Sequence, residues 1–322
     1  MVTLDLRRLR FLREFEVRGT LGAVATALGY SPSAISQQLT LLEKETGATL
    51  FEKSGRGVRL TDAGRLLASH AGLLLTAADA AMADLAAQTD FVRGTVRLSG
   101  LQSAARRLLV PAVARLALSS PGIRAEVREL EVEQALPELR LGSVDLLISD
   151  EYDGHPRPRP AGLRFALLHT EPLKLVLPVS HPLAAAGSPV PIAALRDEVW
   201  TTSDPGTGHH AMVVGTCRSL GGFDPDLRHR CYDAEVQLEL VRQAGAVALL
   251  PLLTLPASDP AVAFRDVAEQ SLGRRLYVVT REGPEAPALT AFLAALGDVA
   301  SSLRDSDRDP DPRDAPAGRA EP

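Results

Sequence analysis

The segment at 20–61, TLGAVATALGYSPSAISQQLTLLEKETGATLFEKSGRGVRLT, constrains this chain most, because it fits two short helices, a tight turn between them and a basic hairpin. Thr20 is placed to cap a helix, and Leu21, Val24, Ala25 and Leu28 recur at helical spacing on one face. Gly29 suits the left-handed backbone of a turn. Ser31 can cap the next helix, and Pro32 fits its first position, where no amide donor is needed. In that second helix Ile35, Leu39 and Leu42 turn inward, leaving Ser33, Ser36, Gln37 and Thr40 outward, short or amide side chains able to reach base edges. SGRG at 54–57 predicts a hairpin tip, with Lys53, Arg56 and Arg59 placed to neutralise phosphates. Residues 1–61 hold nine Lys or Arg against six Asp or Glu in a chain of net charge −5, so the positive excess is local.

Ordered motifs extend this pattern: L-R-F-L at 9–12, G-T at 19–20, V-A-x-x-L-G-Y-S at 24–31, A-I-S-x-Q-L at 34–39, L-E at 42–43, G-A-x-L-F at 47–51 and R-L-T-x-A-G at 59–64. Together they closely resemble the LysR-type transcriptional regulators. The resemblance implies a winged helix-turn-helix whose second helix enters the major groove of double-stranded DNA, with Pro32, Ser33, Ser36, Gln37 and Thr40 at the matching positions. Many members carry Gln-Pro where this chain has Pro32-Ser33, so a contact glutamine is missing here and the target sequence does not carry over. Weaker motifs continue through H-P-L-A at 181–184, P-G-T-G at 205–208 and V-x-x-A-G-x-V-A-L-L-P at 241–251.

Residues 61–90 are rich in alanine and leucine, free of proline, and carry Leu67, Ala71, Leu74, Ala78, Ala81 and Leu85 at alternating spacings of four and three. That stripe predicts a heptad seam on a long helix. Such a helix, about 40 Å long at 1.5 Å per residue, outruns the needs of a small winged domain, so a second copy of the chain is its simplest burial surface. The resemblance implies the same arrangement, a homodimer or homotetramer paired through a linker helix.

From Gly94 onward strand and helix patterns alternate: TVRLSG, a helix over 102–118, IRAEVREL, a short helix over 132–141 and VDLLIS at 144–149. A second such unit follows, with LKLVLPV at 173–179, a strand near VWTT, a helix after Gly208, a strand near RHRCY, a helix over 234–244 and AVALL at 246–250. The alternation predicts parallel sheets in two linked lobes. The family's fold resembles periplasmic binding proteins with two crossovers, which would fall near 168–172 and 266–274 and return the final strand LYVVTR and a helix over 286–303 to the first lobe. The expected fold is thus α/β: a winged helix-turn-helix at 1–61, a linker and dimerisation helix at 62–90, and a two-lobed effector-binding domain at 94–303. Lobe I takes about 94–170 and 270–303, and lobe II about 171–269. Residues 304–322 mix charge with proline and lack Leu, Ile, Val and Phe, which predicts a disordered tail.

Small ligands in such sheets sit beyond the carboxyl ends of the strands. Two loops qualify. SGLQS at 99–103 offers Gln102 and Ser103, and TTSDPGTG at 201–208 offers Thr202, Ser203 and Thr207. Facing each other across a cleft they could clamp a small anionic or polar metabolite, although each hydroxyl could equally be a helix cap. His209 and His210 are adjacent and lack ligand spacing, so neither a metal nor a cofactor is expected. Asp150, Glu151 and Asp153 read as a solvated turn. Cys217 and Cys231 read as structural thiols, with a redox-responsive regulator as the alternative.

No nucleophile-base arrangement or G-x-S-x-G elbow supports an enzyme, and the N-terminus lacks the apolar core of the signal peptide that a solute-binding protein would need. No apolar run is long enough to span a membrane. The expectation is a cytoplasmic regulator that binds DNA, a small effector and itself, and that works with RNA polymerase.

Overall fold

The computed structural model describes residues 4–28, 30–55, 57–87, 93–140, 142–185, 188–283 and 285–308. Gly29, Arg56 and the stretch 309–322 lie outside these residues.

Three helices open the chain: α1 (Leu6–Arg18), α2 (Leu21–Leu28) and α3 (Pro32–Thr46). Each start is locally encoded. Asp5 accepts from the amides of Arg7 and Arg8, Thr20 Oγ1 accepts from Ala23 N at 3.2 Å, and Ser31 Oγ accepts from Ala34 N at 3.2 Å with Pro32 in the first turn. Strands β1 (Phe51–Ser54) and β2 (Gly57–Leu60) then pair as an antiparallel wing. Leu9, Phe11, Leu12, Phe15, Val24, Ile35, Leu39 and Leu42 form one buried core, so the helical periods of three short segments converge on a single apolar centre.

Helix α4 (Asp62–Ala87) runs for 26 residues. Its first half packs on α1, with Ala68 and Ala71 inside the N-terminal core, and it also touches the C-terminal helix α10 (Pro287–Arg308). The stripe expected from the sequence is therefore divided. Leu67 and Ala71 face their own domain, while Leu74 and Leu85 stay exposed alongside Leu66 and Leu73. The exposed apolar surface of the helix thus keeps Leu74, Ala81 and Leu85 of the expected seam and adds Leu66 and Leu73 beside it.

Lobe I is built from β3 (Gly94–Gly100), α5 (Gln102–Ala104), a π-helical stretch at Ala105–Leu109, α6 (Val110–Ser119), β4 (Ile123–Glu129), α7 (Val132–Arg140) and β5 (Leu146–Tyr152). Strand β3 lies parallel between β4 and β5. The long β6 (Leu163–Pro178) leads into lobe II, which holds β7 (Val199–Thr202), α8 (Gly208–Thr216), β8 (Asp226–Arg230), α9 (Ala234–Ala244), β9 (Ala248–Pro251) and β10 (Val262–Arg265). Strand β11 (Gly273–Arg281) and α10 return to lobe I.

The seven-stranded sheet has the order β10-β6-β11-β5-β3-β4, with β9 also on β6. It is mixed where the sequence pattern predicted parallel strands. β11 runs antiparallel to both β5 and β6, and β6 pairs with β11 up to Pro172 and with β9 from Leu173. Antiparallel pairing arises because β6 and β11 carry the chain out to one lobe and back from the other. The first half of β6 is partly exposed and its second half buried on both faces, which is why only LKLVLP read as a strand.

Each lobe has its own apolar centre: Leu98, Leu108, Leu116, Phe292 and Leu296 in lobe I, and Leu175, Trp200, Met212, Val213 and Leu249 in lobe II. Helix α10 runs to Arg308, so residues 304–308, read as the start of a disordered tail, are helical. Among the described residues no helix is long and apolar enough to cross a membrane.

Candidate functional site

Two surfaces carry the candidate residues. On α3, Ile35, Leu39 and Leu42 are buried, and Pro32, Ser33, Ser36, Gln37 and Thr40 are exposed on the other face. Thr40 Oγ1 donates to Ser36 O at 3.0 Å, and the hydroxyls of Ser33 and Ser31 lie 3.0 Å apart. Gln37 is the one long amide on this face. The helix is held from both sides. Arg8 on α1 donates to Gln38 Oε1 at 3.0 Å and pairs with Glu45, while Glu43 Oε1 accepts from the wing amides of Leu50 (2.8 Å) and Phe51 (3.1 Å). A face fixed this way has little freedom to tilt relative to the wing.

On the wing Lys53 is exposed, and Arg59 pairs across the strands with Glu52 at 2.9 Å. Arg56 lies outside the described residues. Gly64 sets the angle at which α4 leaves the wing: a Cβ there would sit 2.2 Å from Leu50 O, a contact the backbone cannot absorb.

The second surface is a cleft of about 410 Å³, counted to its open mouth, lined by residues of both lobes. Its position follows from the topology. Leu101, Gln102 and Ser103 follow β3, Glu131 follows β4, Asp150 and Tyr152 end β5, Ser203 follows β7, and Tyr232 and Ala234 follow β8, so the parallel strands deliver their carboxyl ends to one place.

Of the five residues proposed from sequence, Gln102, Ser103 and Ser203 line the cleft, and Thr202 and Thr207 do not. Gln102 spans the lobes, its Nε2 donating to Asp233 Oδ1 at 2.6 Å and its Oε1 accepting from Ala234 N at 3.4 Å. Arg106 adds a second clasp to Glu235 at 3.0 Å. Ser103 Oγ accepts from Arg274 Nη2 at 2.9 Å. Thr202 is wholly buried behind the cleft, and Thr207 caps α8 by accepting from His210 N.

His209 lines the cleft but is buried and fully engaged. Its Nδ1 accepts from Ser203 N (3.3 Å) and lies 3.1 Å from Ser203 Oγ, so the ring proton sits on Nε2 and is donated to Leu249 O at 3.0 Å. Burial lowers its pKa to about 4, against the pull of the Leu249 carbonyl. His209 is therefore a neutral packing residue near pH 7.

Asp153 lies in an exposed turn, but Asp150 and Glu151, read from the sequence as part of that solvated turn, belong to β5. Asp150 and Glu151 are buried, with Asp150 bound by Arg157 at 2.7 Å and Glu151 by Arg159 at 2.7 Å. Glu131, Asp150, Tyr152, Tyr232, Gln237 and Arg274 are lining residues the sequence reading missed. Glu131, Asp150 and Tyr232 could have been found by marking what stands at the end of each strand. Arg274 could not, since its partner Glu171 lies 103 residues away. Burial, then the charges of Asp150 and Glu133, raises Glu131 to about 7.

Cys217 is wholly buried and its thiol is pushed up to about 12 by burial alone. Burial also raises Cys231, with Asp233 and Asp204 adding to the effect against a hydrogen bond with Thr201.

Residues 6–65 match the family described as "Bacterial regulatory helix-turn-helix protein, lysR family", and residues 89–301 match "LysR substrate binding domain". The chain is 32% identical to a probable hydrogen peroxide-inducible genes activator of Mycobacterium avium over 84% of this chain and 86% of that protein. It is 28% identical to the transcriptional dual regulator GltC of Bacillus subtilis (strain 168), over 80% of this chain and 84% of that protein. Among solved structures, full-length OxyR from Pseudomonas aeruginosa aligns with a TM-score of 0.70 at 20% identity, covering 92% of this chain and 95% of that one. Full-length CbnR complexed with its target DNA aligns with a TM-score of 0.59 at 20% identity, covering 92% of this chain and 100% of that one. At these identities the structural likeness speaks for the fold.

Proposed function

The chain belongs to the LysR family of bacterial transcriptional regulators, with a DNA-binding helix-turn-helix followed by an effector-binding domain, and on that footing we propose a cytoplasmic one-component regulator that assembles as a dimer or tetramer. A small molecule held between the lobes favours one arrangement of the subunits, and so changes how paired winged domains lie on a promoter and engage RNA polymerase. The ligand acts only through its differential affinity for the two arrangements.

The observation that carries this reading is the outward face of α3, polar along Ser33, Ser36, Gln37 and Thr40 and clamped between α1 and the wing. Gln37 is the base-reading residue; Pro32, Ser33, Ser36 and Thr40 border the groove; Lys53, Arg56 and Arg59 meet phosphates. The exposed leucines Leu66, Leu73, Leu74 and Leu85 of α4 supply the surface for a second copy. In the effector domain, Gln102, Ser103 and Ser203 contact the ligand, with Thr202 and Thr207 holding the loop behind them.

Binding titrations on the chain's own promoter region over a range of salt test the DNA assignment. Lys53→Ala and Arg56→Ala should each weaken binding to all sequences alike and shallow the salt slope by about 1, whereas Gln37→Ala should change preference at particular base pairs. Wild-type salt dependence and base preference in all three variants would overturn it.

A redox-responsive regulator working through Cys217 and Cys231 is the competing reading, and relatives from Mycobacterium avium and Mycobacterium leprae bear the name of probable hydrogen peroxide-inducible genes activators. The raised thiols of both cysteines favour the metabolite reading, because the thiolate is the reactive form.

A further inference from the structure

Three charged side chains line the cleft: Glu131, Asp150 and Arg274. Arg274 is spent. It is 2% exposed, pairs with Glu171 at 2.5 Å and donates to Ser103 at 2.9 Å, so a ligand meets a neutralised guanidinium. Asp150 shares its cation, since Arg157 bonds Asp150 at 2.7 Å and Glu133 at 2.6 Å. Glu131 has no hydrogen-bond or ion-pair partner for its carboxylate among the described residues. Three carboxylates (Glu133, Asp150 and Glu171) thus stand against two guanidiniums (Arg157 and Arg274), and Glu131, raised to about 7, adds part of a further charge near neutral pH, so the surplus in and just behind the cleft is between one and two negative charges.

A second, independent observation points the same way. Gln237 lines the cleft at 2% exposure. Its Nε2 donates to Cys231 O at 2.8 Å, and because a carbonyl only accepts, the amide cannot turn over. Its Oε1 is left buried without a donor. A buried acceptor of this kind costs free energy until a donor reaches it.

We infer that the effector of this cleft is a small organic cation, an amine or guanidine, whose N–H groups satisfy Glu131 and Gln237 and whose charge offsets the carboxylate surplus. The inference rests on the reading of the cleft as the effector site, and it narrows the small anionic or polar metabolite expected from the two loops to a cationic one. A carboxylate ligand would set acceptor against acceptor and add to the like charge. Tyr152 and Tyr232, also on the lining, offer aromatic surface compatible with a cation or its apolar stem.

The test measures melting temperature and calorimetric affinity of the full-length protein with agmatine, cadaverine and benzylamine, against glutarate, adipate and benzoate, each up to about 10 mM. At least one amine should raise the melting temperature in proportion to the logarithm of its concentration. Glu131→Gln and Gln237→Met, checked for folding by circular dichroism, should each weaken that amine by about tenfold or more.

Amine affinity should rise about tenfold from pH 6 to pH 8, as Glu131 ionises near 7 while the amine stays charged. The charged and titratable groups around Glu131 are Asp150 on β5, Glu133 on α7, Glu129 on β4, Arg157 in the loop after β5, and Tyr232 before α9. A rise with carboxylates alone, abolished by the cleft-filling Ala234→Trp, would overturn the cationic class and leave the cleft as effector site. Amine binding unchanged in both lining variants would overturn the inference as well. No response to either class would overturn it together with the effector reading.

Discussion

Arg274 on β11 stands directly opposite Glu171 on β6, with Nη2 2.5 Å from Oε1 and both side chains almost wholly buried. The pair sits where β6 leaves lobe I, and the second oxygen of Glu171 accepts from Leu253 N of lobe II at 2.6 Å. One carboxylate therefore ties the strand crossover to both lobes and orients Ser103 in the cleft.

Removing one partner of such a pair strands a buried charge. Glu171→Gln should cost about 3–5 kcal/mol, while the double change Glu171→Leu with Arg274→Met should recover most of that loss. Urea unfolding of the three proteins measures both. Equal losses in the single and double variants would mean that the pair contributes net stability rather than mainly avoiding an unpaired charge.

Gly64→Ala should disturb the junction between the wing and α4, because the new methyl carbon falls 2.2 Å from Leu50 O. A destabilisation of roughly 1–3 kcal/mol in the N-terminal domain is expected, with weaker DNA binding and no change in ligand response. Thermal unfolding with and without operator DNA reads it out.

Acid should unlock lobe II through His209. Its folded pKa of about 4 lies below the ordinary 6.5, so the unfolded chain binds the extra proton first as pH falls. The neutral ring's stabilisation is complete above about pH 6.5 and fades as pH drops toward 4, a contribution on the order of 3 kcal/mol for this fully buried ring. His209→Gln should lower stability at pH 7 yet flatten the difference in stability between pH 7 and pH 4.5 relative to the parent protein. An unaltered pH profile in the variant would place the acid sensitivity elsewhere.

Cys217 should resist oxidants and alkylating agents in the folded protein. With its thiol pushed up to about 12, only about one molecule in ten thousand carries the thiolate at pH 8. Mass spectrometry after stoichiometric peroxide should find Cys217 and Cys231 as free thiols, and Cys217→Ser should leave DNA binding unchanged under peroxide. Rapid formation of a 217–231 disulfide would instead favour the redox reading.

The N-terminal module was legible because its signals are local. Thr20, Ser31 and Pro32 sit beside the amides they cap or replace, and Ile35, Leu39 and Leu42 mark the buried face of α3 within two turns. The α/β alternation of the effector domain was legible for the same reason. The first half of β6 was not, since its side chains are only partly buried and its partner β11 lies about a hundred residues on. Of the heptad stripe on α4, Leu67 and Ala71 pack into the N-terminal core, and the free apolar surface joins Leu74 and Leu85 of the stripe to Leu66 and Leu73.

By itself the sequence determined the family, the order of domains and the face of α3 turned outward, because caps, helical periods and turn residues act over a few positions of chain. Only the tertiary structure decided the character of the cleft. Ser103, proposed as a ligand contact, also accepts from Arg274, the apparent surface acids at 150–151 are buried, and the Gln237 carbonyl is left buried without a donor. A site's charge depends on which groups neutralise one another across distances of chain that no local pattern records.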